Sequence, residues 1–145
     1  MSESTAGDDT LLALHLPAAP EALDTAHDAF EEAWTAHPDV ADDVRLRFVM
    51  ATMEILGNVV EHAYAPDVRA DGRRLALDVT RTDTGLVGTI SDNGQPFALD
   101  LSDVAMPGVD AESGRGLALA RDVLDGLDYE RVEGRNVWKL RCEGR

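Results

Sequence analysis

The chain is predicted to be an α+β two-layer sandwich: a mixed, mostly antiparallel sheet with helices on one face. Three observations predict it: two stretches of helical periodicity in the N-terminal half, two hairpin signals further along, and one amphipathic helix between those hairpins. Helices set against hairpins pack as two layers because each element has one apolar side to bury. One domain is the expectation for 145 residues, a length that buries roughly two-thirds of the unfolded surface. Met1 to Asp9 reads as a flexible acidic tail, leaving residues 10–145 as the folded domain.

Leu11 to Leu16 is a short apolar run closed by Pro17, which suits a first strand. Pro20 then stands where proline favours the first turn of a helix, and that helix should run to about His37. Leu23, Ala26, Phe30, Ala33 and Trp34 recur at three- and four-residue steps with acidic residues between them, so one face is buried. Pro38-Asp39 is expected to end this helix and cap the next, from Val40 to Tyr64. In that longest helix Phe48, Val49, Ile55, Leu56, Val59, Val60 and Ala63 gather on one arc, while Glu54, Asn58 and Glu61 lie opposite, with His62 at the edge.

Ala65 to Arg73 holds Pro66, Asp67, Asp71 and Gly72 and reads as a loop. Leu75 to Arg81 alternates apolar and polar, Thr82 to Gly85 turns, and Leu86 to Ser91 returns, a hairpin signal with Asp92 at its end. Ala98 to Ser113 has little periodicity and contains Pro107-Gly108, which marks a candidate lid. After Gly116, Leu117, Leu119, Ala120, Val123 and Leu124 predict a helix ending near Gly126. Leu127 to Val132 and Asn136 to Arg141 form a last hairpin turning at Glu133-Gly134-Arg135.

Charge narrows the functions open to this fold. The formal net charge is -15 and the lone lysine is Lys139, so the basic stripe that nucleic-acid binding needs is missing. Such acidity suits a protein partner with a basic segment, and it equally serves solubility. Cys142 is the lone cysteine, and His15, His27, His37 and His62 lack metal-ligand spacing, which argues against a metal site built by protein alone. The acidic start is unlike a signal peptide, and no apolar run approaches the roughly 20 residues that span a bilayer, so the expectation is a cytoplasmic chain without membrane contact.

Three separated blocks carry the chemistry. Glu54 and Asn58, one helical turn apart within Met53 to Tyr64, put a proton acceptor and an amide oxygen in one cleft, where magnesium would complete its octahedron with phosphates and water. Taken alone, the pair also fits a solvated helix face. Asp92-Asn93-Gly94 fits a plain turn, or a carboxylate accepting from an exocyclic amine beside a glycine that lets a purine approach. Gly114-Arg115-Gly116-Leu117 fits a loop-to-helix junction, or a helix start whose backbone N–H groups hold phosphate, with Arg115 and Arg121 adding positive charge.

In this order the blocks resemble the N, G1 and G2 boxes of the GHKL, or Bergerat-fold, ATPase superfamily, and within it the small bacterial anti-sigma-factor serine/threonine kinases. The likeness runs from about Leu11 to Cys142 and includes Ser91 to Phe97, Ser113 to Leu119 and Asn136 to Leu140. It implies the Bergerat-type sandwich and ATP with magnesium as cofactors. It further implies Glu54 as general base, Asn58 as magnesium ligand, Asp92 as the adenine-reading carboxylate, and Gly94, Gly114, Arg115, Gly116 and Leu117 as further ATP contacts. The activity implied is phosphoryl transfer to a STAS-domain antagonist by a homodimer that also sequesters a sigma factor. The alternative is an ATP-binding module that holds a partner without transfer. Two positions depart from the family pattern: Pro96 replaces a second glycine, and Gly57 stands where many such kinases carry a hydroxyl.

Overall fold

A computed structural model describes residues 10–63, 73–94 and 111–144, with the backbone alone described at 62–63 and 111–115. The acidic tail, Tyr64, most of the loop after it, Gln95-Pro96-Phe97 and residues 98–110 of the expected lid lie outside the described residues. The elements are β1 (Thr10–Pro17), α1 (Glu21–Ala36), α2 (Asp42–Ala63), β2 (Arg74–Arg81), β3 (Gly85–Asp92), α3 (Ala111–Val123), β4 (Gly126–Val132) and β5 (Arg135–Glu143). Their strands form one sheet in the order β1-β2-β3-β5-β4.

Every pairing in that sheet is antiparallel, so the expected mixture of directions is corrected. The connection through α3 does carry the chain from β3 to a strand running the same way, β4. Hairpin partner β5 then returns between them, and the parallel neighbours never touch. The hairpin turns on Glu133 and Gly134, with φ of 49° and 81°, the two-residue turn whose twist matches that of paired strands.

Side-chain alternation sorts the sheet into two faces. Leu12, Leu77, Ile90, Trp138 and Leu140 are buried on one, and the register aligns them as neighbours: Leu77 opposite Ile90, and Ile90 opposite Trp138. The helices bury their apolar arcs in the same core, with Ala26, Phe30 and Ala33 from α1 and Phe48, Ile55, Leu56 and Val59 from α2. Phe30 stacks on Trp34 at 5.6 Å and meets Phe48 edge-on at 6.1 Å, which sets α1 against α2. Gly88 makes room for that contact, since a Cβ there would come within 2.6 Å of the Phe48 ring.

Three local expectations change. Asp39 does not cap α2; it forms a fork with Arg81 (3.0 and 2.7 Å), and α2 begins at Asp42. Helix α3 starts at Ala111 rather than after Gly116, because its packing against α2 outweighs the weak helix propensity of two glycines, roughly 1 kcal/mol each. Leu119 is exposed, since Leu117, Ala120 and Leu124 already take the buried side at steps of three and four.

Candidate functional site

Phe48 lies beneath Gly88 and the Arg47 guanidinium donates to the Glu143 carbonyl (2.6 Å), so α2 starts at the Gly85 end of β3 and runs toward Asp92. At about 1.5 Å per helical residue Asn58 is roughly 15 Å beyond Phe48, and at about 3.3 Å per strand residue Asp92 is roughly 13 Å beyond Gly88. The same long helix therefore delivers Glu54 and Asn58 to the end of the sheet where Asp92 stands. Helix α3 runs the opposite way: its Gly116 meets Glu54 and its Val123 carbonyl accepts from Arg47 (3.1 Å). By that register the start of α3 points to the Asn58 end, with its first N–H groups free of helical partners among the described residues.

Asp92 is the last residue of β3 and only 4% exposed. Its Oδ1 accepts from the Gly94 N–H (2.8 Å), closing a side-chain-mimicked turn, and from Asn136 Nδ2 (3.0 Å). Its Oδ2 is buried and, among the described residues, has no hydrogen-bond partner. An unpaired buried acceptor is costly unless something supplies a donor, and an exocyclic amine is such a donor. Asn93 ties the turn to the preceding strand, its Oδ1 accepting from Arg74 N–H (2.8 Å) while its carbonyl accepts from Arg73 (2.7 Å).

Behind Asp92 stands a network that sequence reading missed. The Asn136 Oδ1 accepts from the Tyr129 hydroxyl and from Arg131 (3.1 Å), and Arg131 also donates to the Gly94 carbonyl (2.7 Å). A signal was present: Asn136 is in phase with Trp138, Leu140 and Cys142, a polar residue at an inward position of an apolar strand face.

On the helical wall, Glu54 is exposed and Asn58 half-buried, with the Asn58 Nδ2 buried and unpartnered among the described residues. Glu54 forms no ion pair among those residues. Gly57, between them in sequence, has open space where a Cβ would stand. Gly116 is buried against the Glu54 carboxylate.

The third block is brought to the site through its backbone. Gly114, Arg115 and Gly116 lie inside the first turns of α3 rather than before it, so helical geometry engages the Gly114 and Gly116 N–H groups, while those of Ala111 to Ser113 have no helical carbonyl to bond among the described residues. Leu117 is fully buried in the core, which leaves its side chain nothing to offer a ligand. Arg121 occupies the last turn, about 15 Å from the helix start, and cannot add charge there as expected.

Magnesium and a nucleoside triphosphate fit these residues. No group of three or more His, Cys, Asp or Glu among the described residues could hold a metal unaided. Asn58 supplies one amide oxygen one turn from Glu54, a donor set that suits magnesium sharing phosphate oxygens and water. Among the described residues no helix is long and apolar enough to cross a membrane.

The family model of the histidine kinase-like ATPase domain matches residues 16–142. Among solved structures the fold is similar to a chain in the SiaB–SiaC complex from Pseudomonas aeruginosa, with a TM-score of 0.70 and 14% identity over 97% of this chain and 94% of that one. It is also similar to a structure of the RsbU and RsbW domains of Rv1364c from Mycobacterium tuberculosis, with a TM-score of 0.58 and 22% identity. That match covers 92% of this chain and 33% of the other, so the chain spans about one third of that length. At these identities the likeness is one of fold. A comparison with curated proteins finds no match.

Proposed function

The chain belongs to the family of histidine kinase-like ATPase domains, and from that premise we propose that it is an ATP-dependent serine/threonine protein kinase and anti-sigma factor, working as a homodimer that phosphorylates a STAS-domain antagonist. The observation that carries the reading is Glu54: an exposed carboxylate, outside any ion pair among the described residues, one turn from Asn58. A base must be open to the incoming hydroxyl, and this one is.

In the proposed step Glu54 takes the proton from a serine or threonine hydroxyl as its oxygen bonds to the γ-phosphorus, and the bond from that phosphorus to the β-bridging oxygen breaks, releasing ADP. Asn58 would hold magnesium, which supplies charge neutralisation at the phosphates when bound. Asp92 would accept from the adenine amine through Oδ2, and Gly94 would let the ring lie close to the backbone. The start of α3 would offer its first N–H groups to phosphate, with Gly114, Gly116 and Leu117 forming the turns behind them and Arg115 adding positive charge.

The partner system follows the same reading. One similar fold is seen in the SiaB–SiaC complex, a pairing of two proteins, and a net charge of -15 suits a basic sigma-factor segment. A second reading, a module that holds a partner without transfer, draws on the contact of Gly116 with the Glu54 carboxylate, which crowds the base.

One experiment separates them. With γ-labelled ATP, magnesium and a STAS-domain protein, label should pass to serine or threonine, and E54Q should lower the rate by roughly 10²- to 10⁴-fold with ATP affinity within about threefold. Intact ATP binding with no transfer by the wild type would leave the holding module as the function.

A further inference from the structure

We infer that Tyr129 and Arg131, on the edge strand β4, are positioning residues that fix which oxygen of Asp92 faces the base, and thereby set discrimination between purines with and without an exocyclic amine. The inference rests on the reading of Asp92 as the purine contact. It concerns two side chains that would touch no part of the nucleotide.

Asn136 is the intermediary. Its carboxamide is nearly symmetric in shape, and turned half about it would present an oxygen to Asp92 Oδ1, acceptor against acceptor. The Tyr129 hydroxyl and Arg131 both donate to Asn136 Oδ1, which holds the oxygen on the β4 side and leaves Nδ2 to donate to Asp92 (3.0 Å). With two donors on its Oδ1, Asp92 keeps Oδ2 as the buried acceptor without a partner among the described residues. Arg131 also grips the Gly94 carbonyl (2.7 Å), so the turn and the amide share one clamp. Register makes this possible: Arg131 lies opposite Asn136, and Asn136 opposite Asp92, across three adjacent strands.

The structure also makes the residues testable. The Tyr129 ring packs against Trp138 at 4.7 Å, so Tyr129→Phe retains the packing and loses only the hydroxyl. Arg131 is an exposed residue, so Arg131→Gln removes its hydrogen bonds to Asn136 and Gly94 without opening a cavity in the core.

The experiment is calorimetric titration of the full chain, with magnesium, against ATP and against purine riboside triphosphate, which has the same phosphates and no exocyclic amine. Y129F and R131Q should each weaken ATP roughly tenfold, the weight of about one well-placed hydrogen bond, with the analogue within about twofold of wild type. A shift of the ATP-to-analogue ratio in either variant supports the inference. An unchanged ratio in both, or equal weakening of both nucleotides, overturns it while the proposed function stands. Wild-type protein that binds neither nucleotide removes both. Should circular dichroism show Y129F unfolded, R131Q alone decides.

Discussion

Gly116 of α3 lies so close to the Glu54 carboxylate of α2 that a methyl group at position 116 would overlap Oε1. The nearest group is the far end of an exposed, flexible side chain, so the overlap is relieved by turning Glu54 aside. G116A should therefore leave stability unchanged or raise it by up to about 1 kcal/mol, the gain of alanine over glycine within a helix. Phosphoryl transfer should nonetheless fall at least about tenfold, since the displaced carboxylate no longer meets the hydroxyl. Thermal unfolding and label transfer, measured on one preparation, check the split.

At Asp92 the two oxygens carry different duties. Asn at this position keeps an oxygen for Gly94 and Asn136 and places an amine where Oδ2 stood, a donor in place of an acceptor. D92N should lose ATP affinity by roughly tenfold or more and shift its relative preference toward inosine triphosphate, whose ring offers a carbonyl there. Its folded state should be no less stable, because a buried amide costs less than a buried carboxylate. Titrations with both nucleotides and a denaturation curve read these together.

Gly57 has nothing within 4 Å of where a Cβ would stand. Alanine should stabilise α2 by about 0.5–1 kcal/mol, seen as a melting point a few degrees higher. If phosphate approaches this open side of α2, G57A should also weaken ATP binding, which titration reads in the same sample.

The Arg81 hydrogen bond to Asp39 holds that carboxyl below its ordinary value of 3.8. A carboxyl depressed in the folded state stabilises above its unfolded pKa, and the contribution fades as pH falls through the lower native value. D39N should thus melt below wild type at pH 7, with the gap closing below pH 3.8 and also narrowing in high salt. A gap that widened on acidification would contradict the pairing.

Elements with a clean period were legible in the sequence. Leu75, Leu77 and Val79 alternate because one sheet face is buried, and Phe48, Ile55 and Val59 recur because one helix face is. The start of α3 was not, since Gly114 and Gly116 read locally as breakers and only contact with α2 makes helix there worthwhile. Asp39 looked like a cap because its partner Arg81 is 42 residues away. Glu54, Asn58 and Asp92 could be nominated from local motifs, whereas the role of Asn136 depends on a pairing 44 residues distant that spacing does not encode.

Arg47 binds the final turn of α3 at the Val123 carbonyl and the end of β5 at the Glu143 carbonyl, with Asp43 on its third side. Ahead of that anchor Leu117 and Ala120 seat the helix in the core, and Gly116 lies against Glu54 just before them. The room left for the Glu54 carboxylate is thus set by one helix lying on another, while the Asp92 turn is set by hydrogen bonds across the sheet, so the two ends of the candidate site rest on separate supports.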